Sequence, residues 1–196
     1  MNKELINKLL SMRNKDLEIR DSLLNKGNLY EGYDEDMEAL HIRDAEELKK
    51  VIDEYGWPGK SLVGKEGANA AFVIAQHSIS KPDIQKLFLV ELKKAVQIKE
   101  ATPNQEACLE DRILFNQGKA CIYGMLFEWD DDGNLIANVD DEELVNERRA
   151  KLGLPTLSEA LKKHREEIEN EGGGPPSNIQ KHKQLAQEWA KRVGWR

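Results

Sequence analysis

Apolar residues recur every three or four positions through most of this chain, which predicts helices. Leu5, Leu9, Met12 and Ile19 stand among alternating charges and predict an amphipathic helix over 3–24. Lys26-Gly27-Asn28 ends it, and the acidic, aromatic stretch 29–39 reads as irregular. Asp44 fits as the cap of a helix running to Tyr55. Glu47, three residues on, completes a capping box, and Leu48, Val51 and Ile52 face inward. Gly56 stops that helix and Pro58 forces Trp57 out of the helical region, so 55–65 reads as an ordered loop.

The stretch 66–79 is the apolar centre. Ala68, Ala71, Phe72, Ala75 and Ile79 make one stripe at helical spacing, and Ala70, Val73 and Ile74 make a second. A helix apolar nearly all round is buried in a core. This one also carries Asn69, Gln76 and His77, polar groups that need partners in such a place.

Beyond it, Ser80 fits as a cap, with Pro82 in the first turn and Ile84, Leu87, Phe88, Leu92, Ala95 and Val96 as a core-facing stripe. Thr102, Pro103 and Gln105 open a further helix that Gly118 closes. Residues 120–127 read as a strand, 130–134 as a turn and 135–139 as the returning strand of a hairpin. Acidic residues at 140–143 suit the start of a helix ending at Gly153. Thr156 and Glu159 make a capping box for another helix, to about 170. A Gly/Pro linker at 171–177 precedes a last helix over 179–193. The expected fold is mainly α (α+β): a helical domain around a buried central helix, with one small β-hairpin. The expected organisation is an N-terminal helix and irregular segment (1–40), a core domain (41–155) and a C-terminal helical extension (156–196).

Composition narrows the function classes. The 196 residues are 33% charged and 39% apolar, ordinary for a folded helical protein. A net charge of −7 argues against a general nucleic-acid or anionic-membrane binder. The longest apolar run, near 70–75, is far short of the ~20 residues a membrane span needs. Charges stand at the N-terminus where a signal peptide needs its apolar centre, and Cys108 and Cys121 read as reduced core thiols. These features lead us to expect a cytoplasmic protein.

Two motif-like stretches fall short of their chemistry. Residues 59–66 match a phosphate loop except that Glu66 stands where Ser or Thr should bind Mg²⁺, and no buried strand precedes them. Residues 128–139 resemble a calcium loop, but Glu128 opens it and Val139 replaces the bidentate Glu. His77 is the one histidine in an apolar context, and His41, His164 and His182 read as exposed in charged segments. No second histidine stands at i+3 or i+4, so neither metal nor cofactor is expected. Asp111 and Arg112 sit between apolar positions of a helix. Gly124, beside Tyr123, interrupts the expected strand in the way that marks a close approach. Arg148 and Arg149 add cations on the following helix.

Trp57-Pro58, Gly64, Gln76-His77, Asp111-Arg112-Ile113, Gly118, Tyr123-Gly124 and Arg148-Arg149 through Gly153-Leu154, in that order, resemble a family of bacterial proteins described as a domain of unknown function. The resemblance covers about 45–155, and Met125-Leu126 depart from the polar pair expected after Tyr-Gly. It implies that Gln76, His77, Asp111, Arg112 and Tyr123 form one recurring set. The reading that follows is a polar pocket for a small anionic ligand, with metal-free hydrolase or transferase chemistry. His77 would act as general acid or base, Asp111 would orient it, and Tyr123 would donate a hydroxyl. Arg112, Arg149 and Gln76 would hold the ligand, with Trp57 as a wall. The alternative is a non-catalytic interaction module with a protein partner, in which the His77, Asp111 and Arg112 groups are structural. Neither reading involves a nucleic acid or a membrane.

Overall fold

The repeated 3-4 apolar spacing appears as helix in the computed structural model, which describes residues 1–29 and 32–196. Among these, the helices are α1 (Lys3–Asn25), α2 (Glu35–Tyr55), α3 (Lys60–His77), α4 (Pro82–Gln97), α5 (Pro103–Asn116), α6 (Glu142–Lys151), α7 (Leu157–Asn170) and α8 (Ile179–Val193). A small antiparallel hairpin pairs β1 (Glu128–Trp129) with β2 (Leu135–Ile136). The protein is mainly α with one small hairpin, as the periodicity implies. Among the described residues, no helix is long and apolar enough to cross a membrane.

The chain forms two compact units, 1–22 with 33–109 and 23–32 with 110–196. In the first, Leu5, Leu9 and Met12 of α1 join Leu48, Val51 and Ile52 of α2, the alanines and Ile74 of α3, and Phe88 and Leu92 of α4 in one core. Each of the larger apolar side chains among them, fully buried, contributes about 1.5–3 kcal/mol. The core therefore holds these helices firmly enough to carry polar groups on their inner faces.

Three boundaries differ from those the sequence suggests, each for a local reason. Helix α2 begins nine residues before Asp44, because Asp34 accepts hydrogen bonds from the Asp36 and Met37 amides. Glu35, Asp36 and Glu38 in its first turn add favourable charge at the positive helix end. Asp44 thus lies inside the helix, buried. The irregular segment expected over 29–39 is helical from 35, and its residues 30 and 31 lie outside the described ones. Helix α3 starts within the expected loop, but Gly64, at φ 71°, breaks it, and the regular helix follows. Ser80 lies in a single 3-10 turn (Ser78–Ser80), and its hydroxyl donates to Glu38 Oε1 rather than capping α4.

In the second unit, residues 120–127 are not a strand. The amides of Ile122, Tyr123 and Met125 donate to the Asp111 carboxylate, so they are not offered to a neighbouring strand. Gly124, at φ 60°, turns the chain between them. The hairpin forms one step later, with Trp129 opposite Leu135 and β2 packed near α7. Asp141 caps α6, and Thr156 with Glu159 forms the expected capping box of α7.

Candidate functional site

Core-facing positions of three helices in the first unit carry Asp16, His41 and His77. On α1 the inward positions run Leu5, Leu9, Met12 and then Asp16, which is 6% exposed. On α2, His41 lies one turn before Ala45 and two before Leu48 on the buried face. His77 is the last residue of α3, and its side chain is 39% exposed. His41 Nε2 is 2.8 Å from Asp16 Oδ1, and His77 Nδ1 is 2.8 Å from Asp16 Oδ2. One buried carboxylate therefore bridges two imidazoles, whose ring centres are 4.9 Å apart. The Tyr33 hydroxyl lies 2.7 Å from His41 Nδ1, on the side of the ring away from Asp16.

Burial would raise the Asp16 carboxyl, but the hydrogen bonds from His41 and His77 outweigh it and hold the group well below the usual carboxylate range. Asp16 is thus an anion in the core face of a helix, stabilised by two ring N–H groups. With both rings donating to Asp16, Tyr33 donates to His41 Nδ1, and His77 directs its Nε2 edge away from the carboxylate. Asp44, one turn after His41, is buried as well. Burial pushes its carboxyl up against the pull of Arg43, whose Nε is 3.5 Å away.

The residues singled out in the sequence divide between the two units. In the first, Trp57 packs in the apolar core. Gln76 is buried beside His77, and its carbonyl oxygen accepts a hydrogen bond from Gln85 Nε2, which also donates to the Ala75 carbonyl. In the second, Asp111 is fully buried and accepts from the amides of Ile122, Tyr123 and Met125. Arg149, 3% exposed, donates to the carbonyls of Pro155, Tyr123 and Gly124. Arg148 donates to the Ile122 carbonyl. Asp111, Tyr123 and Arg149 are thus brought together around one bend of backbone, Arg112 stays half-buried on α5, and the acid that meets His77 is Asp16.

The two near-miss motifs take structural roles. Glu100 Oε2 accepts from the Ser61 amide at the start of α3, where a phosphate loop would place phosphate. Asp130 accepts from the amides of Asp132 and Asn134, which builds the hairpin turn.

Asp16, His41 and Tyr33 are not singled out by motif reasoning. Asp16 has a legible signal, because it continues the 5-9-12 apolar register of α1 and so falls on the core side. His41 falls before the helix start that Asp44 suggests, and only the Asp34 cap brings it onto the buried face of α2. Tyr33 precedes that helix and has no periodic signal.

The sequence profile of DUF6624, a family of unknown function, matches residues 3–169, and the chain belongs to that family. That match contains Asp16, His41 and His77. No curated protein and no solved structure matches the chain.

Proposed function

We propose that this member of a family of unknown function is a hydrolase or transferase for a small anionic molecule, with Asp16, His41 and His77 as the centre that activates a water or hydroxyl. The observation that carries this reading is a buried carboxylate shared by two imidazoles, one of which reaches the surface. A buried ion is costly, and apolar residues at such positions often leave a protein as stable or more so. Three helices each placing a polar group on the core side therefore favours a centre retained for chemistry. Three separate helices also hold the reacting groups rigidly, which chemistry of this kind requires.

The test uses purified protein and a panel of small phosphate, carboxylate-ester and amide substrates. His77→Ala and Asp16→Asn should each lower turnover by at least about 10²-fold while the far-ultraviolet circular dichroism stays unchanged. Turnover equal to the unaltered protein in both folded variants would sink the reading.

A second reading rests on the other unit. The sealed Asp111–Arg149 network is what a non-catalytic interaction module would use to keep a specific surface in shape. In that reading an acidic chain of net charge −7 would favour a basic protein partner. Neither reading calls on a nucleic acid. Two cysteines without a disulfide suit the reducing cytoplasm that we propose as the protein's location.

A further inference from the structure

We infer that Asp16, His41 and His77 bind a divalent first-row transition-metal ion, which holds the anionic group of the substrate. The inference rests on the reading above, since it names the cofactor of the same centre.

Two imidazoles and one carboxylate, from three different helices, form a donor set that suits zinc, iron(II), cobalt(II) or manganese(II) and leaves coordination positions open. The spacing fits. One candidate ligand atom from each residue can be chosen so that all lie within 4.8 Å of one another, and the two nitrogen–oxygen pairs are 2.8 Å apart. An ion with bonds of about 2.0–2.2 Å separates neighbouring ligand atoms by about 3 Å, so small side-chain movements admit it.

The orientation fits as well. The nitrogens that face Asp16 are those that would take the ion once their protons leave. Tyr33 lies at the other nitrogen of His41, where it would then accept a hydrogen bond from Nδ1 and fix the ring, the outer-shell partner that ligating histidines ordinarily have. Asp16 and His41 are buried, whereas His77 is partly exposed, so a water or substrate oxygen can reach the ion past His77.

Charge supplies the last argument. A divalent ion with a single carboxylate ligand leaves net positive charge at the site, which suits a phosphate or carboxylate group. Arg149, a cation the sequence suggests for that task, instead serves backbone carbonyls.

The experiment strips the full-length protein with a chelator and titrates it with cobalt(II), then zinc(II), following visible d–d absorption and equilibrium dialysis. One ion per chain is expected, with a rise in Tm on zinc addition. His77→Ala, at a partly exposed helix end, should stay folded and lose at least about 10²-fold in zinc affinity. Tyr33→Phe, which removes no ligand, should lose about 10-fold. Unaltered protein that takes up no ion, or His77→Ala and Asp16→Asn that both keep stoichiometric zinc, overturns the inference. The two failures are distinguishable. Absent metal uptake, with turnover still lost in folded His77→Ala, removes the ion and leaves the catalytic centre. Metal uptake with turnover undiminished in folded His77→Ala and Asp16→Asn alike overturns the catalytic centre itself.

Discussion

Asp16 and Asp111 are both carboxylates removed from water, and their partners give them different work. Asp16 faces two side-chain rings, one of which reaches solvent, so its partners can exchange protons or ligands. Asp111 faces backbone amides, which can do neither, and its role is to shape the chain. Asp111→Asn keeps one acceptor oxygen but turns an amide NH2 group toward N–H donors. It should cost about 3 kcal/mol, read as a lower urea midpoint, without altering zinc uptake by the first unit. An unchanged midpoint would show that the 120–127 bend does not depend on the carboxylate. Burial also pushes the Cys121 thiol up to about 12, with Asp111 and Glu128 adding to it. Cys121 should therefore resist alkylation at pH 8 in the native protein, and mass spectrometry should find at most the half-buried Cys108 modified.

At the scale of elements, helix boundaries determine where the buried polar side chains fall. The Asp34 cap starts α2 early enough to place His41 on a buried helical face, and the end of α3 brings His77 to the surface. In the second unit, Gly124 sits at φ 60°, and a Cβ there would lie 2.7 Å from Leu157 Cδ1. Gly124→Ala should therefore destabilise the protein by about 1–3 kcal/mol, measured by thermal or urea unfolding. Gly153→Ala, also at positive φ but with nothing near its added Cβ, should cost less. Equal losses would remove the steric part of the argument. The segment around Gly124 has the apolar, strand-like composition that predicts a strand. An acceptor from another helix captured its amides instead, and pairing partners of this kind are set by tertiary contact.

At the scale of the whole chain, Asp16, His41 and His77 all belong to the first unit, and the family match ends at 169, before α8. A chain ending at residue 170 should therefore still bind zinc. It should lose stability in the second unit, where Arg196 donates to the carbonyls of Asn116 and Phe115. Loss of zinc binding in that chain would tie the site to α8. Periodicity, caps and turn residues by themselves determined the helical class, the hairpin and most helix ends. These signals are local, and 3-4 spacing or a Thr-x-x-Glu box carries its meaning within a few residues. The tertiary structure alone decided what each buried polar group meets. Asp16 and His77 lie 61 residues apart in the chain, and Asp16 and His41 lie 25 apart. Their meeting depends on how the faces of three helices pack, and no local pattern encodes that.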